Sequence, residues 1–331
     1  MKNLQSFNLI IVTVTYGSRG NLLKQLLSSI KSSSLQAYNI IIVFNGPGDR
    51  ITEFENINYP KILIHCLINY DNLGSAAGYA QGIIAAQKLG ASHVLLIDDD
   101  NVILEGALDA LQASVFSVQD NIILALNRIT RKKYSQYISG KGGNGIYKSN
   151  RCLGVGLKFF ESDLGGRFEL QSLPYSGLVI PIIAVNRVGL PDTMFFLYQD
   201  DRDYTYRLWL KGYRFLILKE ARIADIDESW ETSKSLDMYR FFPSILHPNS
   251  NDLKVYHSVR SRVIFNLKHQ VTSNLRYRIN AMIFMILIIV LGFLLPVHMS
   301  IRRIKTIKKA VSDGLKEGLS IRNKINHNID G

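Results

Sequence analysis

Between Phe7 and Ile97 the chain alternates short, wholly apolar runs with longer segments whose apolar positions recur every three or four residues. FNLIIVTVTY, NIIIVFNGPGD, KILIHCLIN and HVLLI read as strands, the second ending in a turn. GSRGNLLKQLLSSIKSS reads as a turn and amphipathic helix, and SAAGYAQGIIAAQKLG as a helix with a glycine at its end. Strands apolar on both faces, separated by helices, predict an α/β fold with a parallel sheet covered on both sides. Ligands of such sheets bind beyond the carboxyl ends of the strands. That rule singles out Thr15 to Arg19, Asn45 to Asp49, and Asp98 to Asp100.

The pattern then changes. GKGGNGIYKSNRCLGVG, residues 140–156, is glycine-rich and basic and reads as a loop. Further on, QDDRD opens a helix that runs to Lys211 and Gly212, where glycine suits the cap before the strand FLIL. Residues 227–252 look irregular, and YHSVRSRVIFNLKH, residues 256–269, looks helical and basic. INAMIFMILIIVLGFLLPVHM, residues 279–299, is almost free of polar side chains over a length near that of a membrane span. Gly292 and Pro296 invite a break in it, so the segment either crosses a bilayer or lies on one.

Composition narrows the partners. With 331 residues and 47% hydrophobic content the chain can bury a large core, and its formal net charge is +12. The basic excess gathers after Lys254, in RYR, RRIKTIKK and IRNK, flanking the apolar run rather than alternating with aromatic residues. This favours an anionic membrane surface over nucleic acid. Two cysteines, Cys66 and Cys152, provide neither a disulfide framework nor a zinc cluster, as expected of a reducing compartment. A signal peptide is not expected, and neither a phosphate-binding GxxxxGK[ST] nor a GxGxxG after a strand is present.

Two acidic clusters carry the candidate chemistry. Asp98, Asp99 and Asp100 follow the fourth strand, where mutual repulsion asks for a cation or solvent. Magnesium typically takes one or two carboxylates plus phosphate oxygens. In an extended stretch Asp98 and Asp100 would share one side as the ligand pair, with Asp99 turned toward solvent or a sugar. The second cluster, Asp200, Asp201 and Asp203, can serve a reaction or simply complement a helix N-terminus. Arg207 lies four residues after Asp203, at ion-pair spacing.

LIDDDN, NLGSAAGYAQGI, VGLPDTMFFLYQDDRDYTYRLWLKGYRF and YHSVRSRVIF followed by an apolar stretch, in this order, resemble the inverting GT-A glycosyltransferases of family 2, in particular the rhamnosyl- and galactofuranosyl-transferase branch. The resemblance implies a GT-A catalytic domain over 1–252, with a nucleotide-sugar half to about 130 and an acceptor half after it. A basic helical region over 253–331 follows. It implies Mn²⁺ or Mg²⁺ on Asp98 and Asp100, a catalytic base at Asp201, and acceptor contacts from Asp200, Asp203, Arg207 and Trp230. Thr15, Tyr16, Arg19, Asn45, Asn72, Gly74, Gly78 and Asp99 fall on the nucleotide-sugar side. Relatives commonly place an Asp before the asparagine at the second strand, where this chain has Phe44, so a carboxylate contact to the base is in doubt. They also carry a metal-binding His where this chain has Asp225, with Asp227 the alternative and His247 and His257 outside candidates. The expected partners are a UDP- or dTDP-linked donor, with UDP-galactofuranose ahead of dTDP-rhamnose, and a lipid-linked oligosaccharide at the cytoplasmic face of the membrane. Oligomeric state is open. Two other readings stand beside this one: a haloacid-dehalogenase-type phosphotransferase on DDDNV, and a decayed sugar-nucleotide-binding protein.

Overall fold

The computed structural model describes residues 7–32, 38–47, 54, 61–141, 143–157, 169–227, 244–246, 250–293 and 297–327. Trp230 and His247 lie outside them. The chain divides into two compact units. The first comprises Met1–Gly145, Arg167–Met194 and Asp200–Thr232, and the second Ile146–Gly166, Phe195–Gln199 and Ser233–Gly331.

The first unit is built on eight strands: β1 Leu9–Thr15, β2 Tyr38–Asn45, β3 Ile62–Asn69, β4 His93–Leu96, β5 Asn101–Ile103, β6 Ile122–Arg128, β7 Leu178–Pro181 and β8 Arg214–Asp225. They form one sheet in the order β3-β2-β1-β4-β7-β6-β8-β5. The four strands expected from the first hundred residues are parallel neighbours, as their two-sided apolar pattern requires. Alternate residues of β1 enter different cores. Ile10 and Val12 pack with Tyr79 and Ile83, whereas Leu9 and Ile11 pack with Leu23 and Leu27.

Helices α1 Gly20–Ser32 and α2 Ser75–Lys88 supply those opposite layers. Close approach of α2 depends on glycine: a Cβ on Gly82 would lie 2.3 Å from Val12 Cγ1, and one on Gly78 2.7 Å from Val14 Cγ1. Helices α3 Ala107–Val115, α4 Lys132–Ile138, α5 Ile182–Val188 and α6 Asp200–Leu210 complete the unit. β7 runs antiparallel to both β4 and β6, and β5 antiparallel to β8, so the sheet is mixed. An apolar run fits either strand direction, which is why the pattern did not announce these reversals. Because β7 reverses twice, β4, β6 and β8 still present their carboxyl ends at the same edge.

In the second unit, α7 Asp252–Phe265 continues through a π turn at Asn266–Gln270, followed by α8 Asn274–Gly292 and α9 Val297–His327. α7 and α9 run parallel: Tyr256 donates to Asp313 at 2.6 Å, Arg260 pairs with Glu317 at 3.1 Å, and Arg322 donates to the Leu267 carbonyl at 3.2 Å. Gly314 and Gly318 permit this contact, since a Cβ there would press on Val263 and Leu267. Among the described residues α8 is the one helix long and apolar enough to cross a membrane. It ends at Gly292 and α9 begins at Val297, so a break does fall inside the apolar segment.

Candidate active site at the carboxyl edge of the sheet

The acidic triplet does not continue β4 as an extended strand. Asn101 donates its backbone N–H to the Asp98 carbonyl at 3.2 Å, which closes Asp98–Asn101 into a turn before β5. The alternation argument therefore fails, and the grouping changes. Asp99 and Asp100 share Arg19, whose Nη2 lies 3.0 and 2.9 Å from their oxygens, while Asp98 takes a hydrogen bond from Tyr79 at 2.8 Å and faces Arg128 at 3.8 Å. Asp99, expected toward solvent or a sugar, is instead buried.

The carboxyl ends of β6 and β8 supply the basic side of the same edge. Arg128, the last residue of β6, lies 2.5 Å from Asp225 at the end of β8, and Arg131 approaches the other Asp225 oxygen at 2.6 Å. Asn101 bridges the two halves by donating to Asp225 at 3.0 Å and Asp100 at 3.1 Å. Burial would raise the Asp225 pKa, but Arg128 and Arg131 outweigh it and hold the carboxyl below its ordinary range. Asp98 goes the other way: burial and nearby carboxylates keep it above the ordinary range despite Arg128. Burial likewise lifts Asp99 to about 7 against the pull of Arg19.

The second acidic cluster reaches this edge from another direction. Tyr198 and Gln199, both with φ of 65°, lead the chain into α6, whose first turn carries Asp200, Asp201 and Asp203. Ser75, the first residue of α2, donates to Asp200 at 2.6 Å. Burial and the adjacent Asp201 raise Asp200. Asp201 is raised chiefly by burial, and both Asp98 and Arg128 lie within electrostatic reach of it. Ser75 and Tyr79, one turn apart on α2, donate to Asp200 and Asp98 at 2.6 and 2.8 Å, so the two clusters, about a hundred residues apart in sequence, meet beside that helix.

Asp203 and Arg207 do something different. Asp203 is fully buried and receives Arg207 Nε at 2.9 Å, while the other Arg207 nitrogens donate to the carbonyls of Val188 and Leu190 at 3.0 and 2.8 Å. The pair ties α6 to the end of α5. Tyr204 is core, and Trp209 stacks on Tyr206 at 5.6 Å while donating to Glu169 at 2.9 Å.

On the nucleotide-sugar side, Asn45 is enclosed in an amide network. Its nitrogen donates to Asn72 Oδ1 at 3.2 Å and to the Gly74 carbonyl at 2.9 Å, and its oxygen accepts from Asn69 Nδ2 and Leu73 N at 3.1 Å each. Asn72 closes the loop by accepting from Gly74 N at 2.9 Å. Asn45 therefore fixes the approach to α2, and Gly78 serves the packing of that helix on β1. Beside the network, Thr15, Tyr16, Phe44 and Phe54 line a cavity at the ends of β1 and β2.

Carboxylate oxygens at Asp98 and Asp100 suit Mn²⁺ or Mg²⁺. Asp98 is the more open of the two, its side chain 38% exposed, while Asp100 is held by Arg19 at 2.9 Å. Asp225 joins such a set only by leaving two ion pairs, and Asp227 lies 3.9 Å from Arg19. Among the described residues no three His, Cys, Asp or Glu side chains are grouped as a metal site. His257 lies in α7, stacked on Phe196 at 4.5 Å.

Reading the sequence missed Arg128, Arg131, Tyr79, Ser75 and Asn101. A signal was available for Arg128: it ends the apolar run IILALN at the carboxyl edge, where the ligand rule applies.

No family model matches the sequence, and no curated protein matches it. Solved structures do. The chain is similar to S. aureus TarS 1–349, with TM-score 0.50 and 11% identity over 97% of this chain and 92% of that one. It is also similar to TarS 1–349 in complex with UDP-GlcNAc, with TM-score 0.49 and 12% identity over 97% and 92%. A third structure is the mannosyltransferase PcManGT from Pyrobaculum calidifontis in complex with GDP-Man and Mn²⁺, with TM-score 0.47 and 14% identity over 66% and 56%. The chain spans 44% of the longer TarS structure and 56% of the mannosyltransferase. The first of these likenesses establishes the fold alone, a mixed eight-stranded sheet flanked by helices.

Proposed function

We propose that this chain is an inverting glycosyltransferase that moves a sugar from a nucleoside diphosphate to a saccharide hydroxyl. The observation that carries the reading is the meeting of two acidic clusters at the carboxyl edge, one set among guanidinium groups and the other at a helix start. Asp201 is the base. It takes the acceptor hydroxyl proton as that oxygen attacks the anomeric carbon, and the bond to the diphosphate oxygen breaks on the opposite face of the sugar. Its raised pKa suits a group that must accept a proton near neutral pH. Arg128 and Arg19 supply positive charge where the diphosphate leaves. Asp98 and Asp100 would hold Mn²⁺ or Mg²⁺, which when bound neutralises the same developing charge.

In this reading the base lies at the ends of β1 and β2, where Tyr16 and Phe44 border a small cavity. We assign galactofuranose as the donor sugar, with rhamnose next, from the run GLPDTMFFLYQDD. The acceptor is a lipid-linked oligosaccharide at the cytoplasmic membrane face, in the assembly of a surface polysaccharide such as O-antigen or capsule. The test is nucleoside diphosphate release across a panel of donors and acceptors with Mn²⁺ or Mg²⁺. Asp201→Asn should lower kcat by about 10²–10⁴ with little change in donor KM. Full activity in that variant would overturn the assignment.

A further inference from the structure

We propose that α8 lies in the plane of an anionic membrane surface, one face inside the protein and the other in the headgroup boundary, and does not cross the bilayer. The inference deepens the membrane placement above, but vesicle binding reads it without turnover, so it stands or falls separately from the donor chemistry.

The helix has two unlike faces. Tyr277, Asn280, Ala281, Phe284, Ile288 and Gly292 are buried, at spacings of three or four that trace one stripe. Leu275, Met282, Ile286, Ile289 and Phe293 trace the opposite stripe and are exposed, Ile286 at 61% and Phe293 at 82%. A contiguous apolar stripe of this kind marks a contact surface.

Length alone would allow a span, since 19 residues at 1.5 Å each reach about 28 Å. The buried stripe argues against it. Asn280 donates to the Asn150 carbonyl at 2.8 Å and accepts from Leu157 N at 2.8 Å, which fastens the middle of the helix to a non-helical loop. Carrying α8 into hydrocarbon would carry that loop with it, its backbone polar groups included.

Topology gives the stronger argument. α7 and α9 run parallel and in contact, through Tyr256 with Asp313 and Arg260 with Glu317. α8 connects the end of one to the start of the other, so it returns antiparallel beside them. It could cross a bilayer only if both neighbours crossed too, and α9 carries Arg302, Lys305, Lys308, Lys309 and Lys316 exposed along its length. Arg276 and Arg278 are exposed at the start of α8 itself. Arg276 and Arg278 at the head of the exposed apolar stripe match anionic headgroups above acyl chains, which selects lipid as the occupant.

The full chain should cosediment with vesicles of phosphatidylcholine and phosphatidylglycerol, bind pure phosphatidylcholine weakly, and come off membranes in alkaline carbonate. Ile286→Glu with Ile289→Glu, both at exposed positions, should leave the melting temperature unchanged and weaken vesicle binding by about tenfold or more. Should that variant misfold, Ile289→Trp gives a second reading: brominated lipids should quench it best when the bromines sit near the headgroups. Unchanged binding by the double variant, resistance to carbonate, strongest quenching from the bilayer centre, or a dimer that the double variant splits would each overturn the proposal.

Discussion

Ser75 and Asp200 are joined by a 2.6 Å hydrogen bond that links the first residue of α2 to the first residue of α6. It places a buried carboxyl beside Asp201: burial and the Asp201 charge raise Asp200, and burial with the Asp98 charge raises Asp201. A base must lose its proton before it can act, so turnover at saturating donor should be low in mild acid and rise toward neutral pH. Asp200 stands higher than Asp201 and keeps its proton while Asp201 ionises. Asp200→Asn, which keeps an acceptor for Ser75, should therefore leave the acid limb of the kcat profile in place. A limb that moves to lower pH would mean that Asp200 carries a charge there.

Arg128 is the second point where two distant segments depend on one side chain. It is 8% exposed, and its removal leaves Asp225 beside Arg131 alone and Asp98 without a facing cation. Breaking a mostly buried pair costs about 3–5 kcal/mol, so Arg128→Ala should lower the denaturation midpoint markedly. The double variant Arg128→Ala with Asp225→Ala should recover part of that loss. Additive losses across the cycle would show that the two do not interact.

Asn45 gives a prediction that separates scaffold from recognition. Its amide nitrogen faces two acceptors, Asn72 Oδ1 and the Gly74 carbonyl. Asn45→Asp would set a carboxylate oxygen against both, and an unsatisfied or repelled buried group costs about 1–3 kcal/mol. The variant should therefore melt lower and bind nucleoside diphosphates more weakly. Tighter nucleotide binding by calorimetry would return Asn45 to a direct role at the base.

These relationships mark how far the sequence could be read. Apolar runs and their helical partners fixed the first four strands and the ends where ligands gather, because two-sided burial leaves a periodic trace. The position of Asp201 at a helix start was visible for the same reason: QDDRD precedes a periodic segment and Gly212 follows it. The direction of β7 and the turn at Asp98–Asn101 were not visible, since neither changes the hydropathy pattern. The turn decided which aspartates stand together, and the arginines that answer them lie about eighty residues before Asp100 and thirty after Asp98. Partners at such separations are set by sheet order, which local pattern does not encode.

Gly82 tests the packing that brings α2 and Ser75 to the site. A Cβ there would meet Val12 Cγ1 at 2.3 Å, and Val12 is fully buried. Overpacking costs about 1–3 kcal/mol, while alanine is favoured over glycine in a helix by about 1 kcal/mol. Gly82→Ala should therefore be neutral to clearly destabilising, and Gly82→Val worse than Gly82→Ala. A rise in melting temperature for the valine variant would show that α2 has room to move off β1.

His93 begins β4 and contributes a pH dependence of its own. Burial lowers its pKa to about 4, with Phe7 against the ring at 5.3 Å and the Ser92 hydroxyl 3.0 Å from Nδ1. A histidine whose folded value is depressed favours the folded state fully above its unfolded value, near pH 6.5. That stability is lost as pH falls from 6.5 toward 4, because the unfolded chain takes up the proton first. Carboxylates also titrate in this window, so the contribution of His93 is read as a difference. The fall in melting temperature between pH 7 and pH 4.5 should be smaller in His93→Phe than in the parent chain. Equal falls would mean that the ring is protonated in the fold as readily as in the unfolded chain.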